Sequence, residues 1–200
     1  MKSVLIAYAT NAGSTAKVAQ VIGEELGRDG AQVGVCRLEE VTGLGSYDAV
    51  VVGAPMIMGW HGAAIKFVKK YQPALSHKPV AFFLTAMNLT QTGEKSIGTI
   101  PIYVDPALAK PPKDAKRLSL KERYATVAHY LRPVLEAAPL VKPVSVGLFG
   151  GKLELYRLPL LQMLFVLLVI QAQPGDSRNW TAIRDWAATL RPELLENQLP

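Results

Sequence analysis

A doubly wound α/β fold, a five-stranded parallel sheet with helices on both faces, is what the hydrophobic patterning of this chain predicts. Short apolar runs alternate with stretches of helical spacing along its 200 residues, and that alternation argues for parallel strands joined by helical crossovers. The first run, Val4 to Tyr8, is continuously apolar, as suits a strand covered on both faces. The residues of unusual type then fall in the loops after the first, third and fourth strands, at the carboxyl edge where open α/β sheets hold their ligands. With five strands, the order 2-1-3-4-5 is the expected one.

Each element follows from its own pattern. After Val4–Tyr8, Val18, Ala19, Val21, Ile22 and Leu26 recur at helical spacing. Ala31–Leu38 alternates in part around Val33 and Val35 and reads as the second strand, with Cys36 a small strand residue. Ala49–Ala54 and Val80–Thr85 are apolar runs read as the third and fourth strands, with a helix over Ala63–Tyr71 between them. A helix over Leu120–Leu135 precedes a fifth strand over Val141–Leu148, and a last helix covers Asn179–Leu190, capped by Asp176 or Asn179. Trp180, Ile183, Trp186, Ala187 and Leu190 are its core face, and Arg178 is placed to pair with Asp176 or Asp185.

The turn between the first strand and first helix is Thr10-Asn11-Ala12-Gly13-Ser14-Thr15. Helix-start amides, the positive end of the helix dipole and donating hydroxyls together make a phosphate site. A nucleoside-triphosphate loop would need a lysine here, and a dinucleotide fold three spaced glycines; neither pattern is present. Hydroxyls and amides without a cation suit a single phosphate monoester, as in flavin mononucleotide (FMN). An ordinary capped helix start is the alternative.

After the third strand comes "GAPMIMGWHGAA" and after the fourth "TAMNLTQTG". Gly59 can take a positive φ and let backbone approach a ring, and Trp60 offers a flat face for stacking, or else a core aromatic. His61 reads as a helix-start residue rather than a proton donor, because nothing nearby in sequence would orient it. Met56 and Met58 line a flavin or pad the core.

Three motifs in order, "TNAGSTAKVA", "VVGAPMIMGWHGAAIKFVKKY" and "PGDSRNWTAIRDWA", resemble the flavodoxin-like family that includes menaquinone-dependent protoporphyrinogen oxidases. The resemblance covers nearly the whole chain apart from parts of the insertion. It implies non-covalent FMN, with the phosphate held in the loop Thr10, Asn11, Ala12, Gly13, Ser14 and Thr15. The isoalloxazine ring is then expected between Ala54, Pro55, Met56, Ile57, Met58, Gly59, Trp60 and His61 on one side and Thr85, Ala86, Met87 and Asn88 on the other. No residue is assigned a catalytic role.

Two segments do not belong to a minimal sheet. Residues 89–118 form an insertion rich in proline and lysine, read as a lid over the flavin edge or as a surface loop. Its Lys110, Lys113, Lys116 and Arg117, with Lys121 and Arg123 just beyond, suit an anionic lipid surface. Residues 155–173 are an apolar helical segment in which Leu158 to Ala172, about fifteen residues, is apolar except for Gln162 and Gln171, whereas a membrane-spanning helix needs roughly twenty. It is read as contact with a membrane or a second subunit, making a homodimer, or else as core.

The remaining composition bounds the rest. One cysteine excludes a disulfide framework and fits a reducing compartment, and the amino terminus carries no secretory pattern, so a cytoplasmic chain is expected, either free or peripheral on the inner face of the membrane. The net charge of +6 reads either as an anionic partner surface or as a solvated basic surface with no partner; nucleic acid is disfavoured because the basic residues are not interleaved with aromatics. His61, His77 and His129 lie too far apart in sequence to suggest a metal site. The leading reading is a flavoprotein that moves electrons from a reduced donor to an acceptor such as a quinone or from a porphyrinogen-type substrate. A flavodoxin-like electron carrier and a cofactor-less docking protein of the same fold are the alternatives.

Overall fold

The computed structural model describes residues 1–56, 59–114, 116–153, 160–165 and 175–196. In chain order the elements are β1 (Ser3–Tyr8), α1 (Ser14–Leu26), β2 (Gln32–Arg37), β3 (Ala49–Pro55), α2 (Gly62–Lys70), α3 (Gln72–Leu75) and β4 (Val80–Ala86). The insertion then builds β5 (Leu89–Thr90), β6 (Ser96–Ile97), β7 (Ile100–Val104) and β8 (Ala109–Lys110). There follow α4 (Leu120–Tyr124), α5 (Val127–Ala137), β9 (Ser145–Gly150), β10 (Lys152–Leu153), α6 (Leu160–Phe165), β11 (Gly175–Asp176) and α7 (Trp180–Arg191).

The central sheet has the order β2-β1-β3-β4-β9-β7-β6. Its first five strands are the expected parallel set in the expected 2-1-3-4-5 arrangement, with β9 as the fifth. The sheet is wider than five strands because the insertion is not a structureless loop. Its run Ile100–Val104 pairs parallel with β9, Ile102 against Val146, and β6 folds back antiparallel onto β7.

Strand alternation divides the core in two. Val4, Ile6, Val51, Ala81 and Phe149 face α1 and α7, where Ile22, Ile183 and Trp186 cover them. Leu5, Ala7, Val50, Val52, Phe82 and Leu84 face α2 and α5, under Phe67, Val68, Leu131 and Val134. Both faces of the inner strands are therefore buried, which is why β3 and β4 read as continuous apolar runs rather than as alternation. Gly53 is a glycine for want of room: a Cβ there would lie 1.9 Å from the Phe83 ring of the neighbouring strand.

Most boundaries agree with the sequence reading to within a residue, and two elements depart further. The helix expected over Leu120–Leu135 is broken into α4 and α5, because Thr126 adopts an extended conformation and accepts the His129 N–H to start a new helix. The Ala125 carbonyl at the break takes the Thr90 N–H at 2.6 Å, so the loop after β4 holds the break open. The fifth strand starts at Ser145 rather than Val141 and runs on to Gly150; Pro143, with no N–H to donate, keeps the chain before it out of the ladder. The apolar segment 155–173 lies outside the described residues except for α6, which exposes Leu160 at 67% and Leu164 at 43%. Among the described residues no helix is long and apolar enough to cross a membrane.

Candidate functional site at the carboxyl edge of the sheet

Backbone hydrogen bonds continue past the strand ends and bring the loops into one row. Ala9 N–H donates to Gly53 O at 2.9 Å, Met56 N–H to Thr85 O at 2.9 Å, and Gly151 N–H to Ala86 O at 2.8 Å. The loops after β1, β3, β4 and β9 thus lie side by side at the edge where the sequence places the ligand.

The turn after β1 is shaped by Gly13, whose φ of 83° falls in the left-handed region. Thr10 Oγ1 accepts the Gly13 N–H at 2.9 Å, closing the turn and leaving the Thr10 hydroxyl hydrogen to donate elsewhere. Gly13 stands at the N-cap of α1 and supplies no side-chain cap, no acidic residue occupies the first turn, and among the described residues a Cβ built on Gly13 would meet nothing within 4 Å. An uncapped, positively polarised helix start facing open space is what a phosphate monoester requires, so the residues present fit the FMN phosphate.

Two side-chain bonds tie this turn to its neighbours. Asn11 Oδ1 lies 2.9 Å from His61 Nε2, and the Thr15 and Thr85 hydroxyls are 3.1 Å apart. His61 is the N-cap of α2 and its Nδ1 accepts the Ala63 N–H at 3.2 Å. That bond fixes the tautomer, so Nε2 carries the hydrogen and donates to Asn11. His61 is thus a helix-start residue as expected, but the orienting partner that the sequence did not suggest is Asn11, fifty positions away. Burial pushes the His61 pKa down, a shift only partly opposed by the charge of Glu39, which keeps the ring neutral.

Two expected contacts take a different form. Thr15 is fully buried, so its hydroxyl faces Thr85 rather than a phosphate, and the side chain acts as a staple between loops. Trp60 is 4% exposed and packs on Phe82 with ring centroids 5.5 Å apart, so its flat face belongs to the core instead of stacking on a flavin. Among the described residues its buried indole N–H has no acceptor. Ala54, Pro55, Met56, Thr85 and Ala86 are likewise buried, while Thr10, Asn11, Ala12, Gly13, Ser14, Gly59, His61, Met87 and Asn88 are half-buried at the mouth. Gly59 has a φ of 106°, as the sequence anticipates, and among the described residues a Cβ built there would meet nothing within 4 Å. Ile57 and Met58 lie outside the described residues.

Sequence reasoning missed Asp105, at the carboxyl end of β7. Fully buried, its carboxylate accepts from Ala107 N–H at 2.9 Å, Asn179 Nδ2 at 3.0 Å and Gly150 N–H at 3.4 Å. It joins the insertion, the end of β9 and the start of α7 on the flank of the site. Asn179 also caps α7 by accepting the Ala182 N–H at 3.2 Å. Asp176, instead of capping, lies in β11 and takes the Arg178 guanidinium, with Nε at 2.8 Å; that pairing is the main cause of its lowered pKa. A cavity of about 360 Å³ opens within the insertion, between Leu89 and Thr90 of β5 and Lys95, Val104 and Pro106.

A parallel sheet with an uncapped helix start after β1, locked to the loops after β3 and β4, defines an FMN-type α/β domain. The chain belongs to the flavodoxin-domain family, whose model matches residues 5–179, and that membership points to FMN as its cofactor. Protoporphyrinogen IX dehydrogenase [quinone] of Escherichia coli (strain K12) is 37% identical over 83 residues, 40% of this chain and 45% of that protein; the match therefore spans less than half the length of this curated relative. Among solved structures, an apo NADH:FMN oxidoreductase superposes with a TM-score of 0.51 at 14% identity, covering 98% of this chain and 92% of that one. An archaeal flavodoxin gives 0.50 at 11%, covering 96% and 98%. These last two likenesses bear on the fold alone.

Proposed function

We propose that the protein is an FMN-dependent oxidoreductase that passes electrons from a reduced donor, of porphyrinogen type, to a quinone. The observation that carries the reading is the joined row of loops: an uncapped α1 start, held to the loop after β3 by Asn11–His61 and to the loop after β4 by Thr15–Thr85. Bound there, FMN supplies the redox chemistry. The chain would contribute binding and orientation: the Thr10 hydroxyl and the first-turn amides of α1 would hold the phosphate, and Met87 and Asn88, half-buried at the mouth, would border the ring. Neutral His61 holds the phosphate turn at a fixed distance from the loop that flanks the ring. The donor and acceptor follow from the partial likeness to the E. coli dehydrogenase, and the cavity beside Leu89 and Lys95 has the size of a small-molecule site. A quinone acceptor dissolves in the bilayer, so the reading includes peripheral contact with a membrane.

The test begins with the visible spectrum of the protein purified without added flavin, followed by titration of the colourless fraction with FMN. Yellow protein or one-to-one uptake supports the cofactor, and quinone reduction on addition of a porphyrinogen supports the reaction. Protein that ignores FMN overturns the reading, whereas uptake without quinone turnover leaves a carrier.

A further inference from the structure

The chain's positive charge is concentrated rather than spread. Lys110, Lys113, Lys116, Arg117, Lys121 and Arg123 lie within one short segment in which Asp114 and Glu122 are the acidic residues, and so carry most of the net charge of +6. All six cations are exposed. The two acids are turned to local structure: Asp114 accepts the Lys116 N–H at 2.8 Å, and Glu122 closes a capping box on Ser119 while also accepting the Lys113 N–H at 2.7 Å.

Among those cations stand two large apolar side chains that the fold leaves uncovered. Leu120 is 73% exposed and Tyr124 62%, and their four-residue separation puts them on one side of α4. Exposed aliphatic and aromatic side chains ringed by lysine and arginine are the composition of a segment that lies in a bilayer interface, apolar groups among the acyl chains and cations at anionic headgroups. An acidic protein surface would answer the charge but would leave Leu120 without a reason to be so exposed.

The position of α4 gives this surface a use. Thr90 donates its N–H to Ala125 O at 2.6 Å and its hydroxyl to Glu122 O at 3.0 Å, and Tyr130 donates to Asn88 O at 2.7 Å. The helix is thus fastened to the loop that continues directly from Thr85–Asn88, so the basic apolar face and the ring-binding edge belong to one assembly. We infer that α4 and the basic stretch before it dock the protein on an anionic lipid surface, with the flavin edge held beside the membrane. This inference rests on the proposed quinone acceptor for its purpose but not for its test.

The experiment is sedimentation of the full chain with phosphatidylcholine vesicles and with vesicles that also contain phosphatidylglycerol, at low and high salt. The native chain should bind only the anionic vesicles and be released by salt. Changing Lys116, Arg117, Lys121 and Arg123 together to Gln should weaken that binding at least roughly tenfold, and L120S/Y124S should weaken it also while leaving the charge intact. FMN uptake and the thermal midpoint, followed in parallel, show that both variants remain folded. No binding to anionic vesicles, equal binding to both kinds, or binding indifferent to the fourfold charge change overturns the inference. Because neither electron transfer nor bound flavin enters the lipid readout, a failure of the FMN reading is seen separately.

Discussion

Thr10 and Thr15 look alike in the sequence and do different work. Thr10 is half-buried at the turn and keeps a hydroxyl hydrogen for a phosphate, and a hydrogen bond to a charged group is worth about 1.5–3 kcal/mol. Thr10→Val is therefore expected to weaken FMN binding by at least about tenfold, read by flavin fluorescence titration. Thr15→Val leaves no lost phosphate bond, only an unpaired Thr85 hydroxyl; it should lower the unfolding midpoint while changing FMN affinity less than Thr10→Val does. The reverse order would place the Thr15 side chain on the ligand. His61 gives a pH dependence. Its folded pKa is held below the ordinary imidazole value by burial, so between that pKa and about 6.5 the unfolded chain binds more protons and stability rises with pH. The contribution is whole above about pH 6.5 and is lost progressively as pH falls below it. Protonation would also set an N–H of Nδ1 against the Ala63 N–H it now accepts. Thermal unfolding should show a drop between neutral and mildly acidic pH that is reduced in His61→Asn; equal pH profiles would remove His61 as its source.

At the level of elements, what was legible depended on whether the cause was local. β1, α1, β3 and β4 follow from short-range patterns, and the sheet order followed once they were in place. The division of α4 from α5 was not legible, because it is imposed by Thr90 reaching from another loop to Ala125. Nor was β7: Ile100-Pro101-Ile102-Tyr103-Val104 is an apolar run, but the surrounding prolines and lysines read as loop, and it becomes a strand only because β9 offers it an edge. The loop cradle was visible as composition, while its locking by Asn11 and His61 was not, since no sequence rule relates positions fifty apart. Asp105 shows how much the insertion depends on such links. Asp105→Ala would orphan the Ala107, Gly150 and Asn179 donors at once, and each buried unmet donor costs about 1–3 kcal/mol. It should lower stability by roughly 3 kcal/mol or more in denaturant unfolding, with Asp105→Asn less damaging because an amide oxygen still accepts. Little loss in Asp105→Ala would mean that β7 and α7 are held by the sheet alone.

At the scale of the whole molecule, one ligand should stiffen everything the carboxyl edge joins. FMN that binds only the folded state stabilises it by mass action, by about 2.7 kcal/mol at a hundredfold excess over its Kd. For a domain of this size each kcal/mol moves Tm by about 2–4 °C, so saturating FMN is expected to raise Tm by roughly 5–10 °C. Riboflavin carries the same ring without the phosphate. If the uncapped α1 start is the phosphate site, riboflavin at the same concentration should give a much smaller shift, and Thr10→Val should reduce the FMN shift toward that of riboflavin. Equal shifts from FMN and riboflavin would mean that the ring is bound but the phosphate is not held at Gly13. A shift from neither would leave the sheet and its loops standing as a fold whose carboxyl edge takes another ligand.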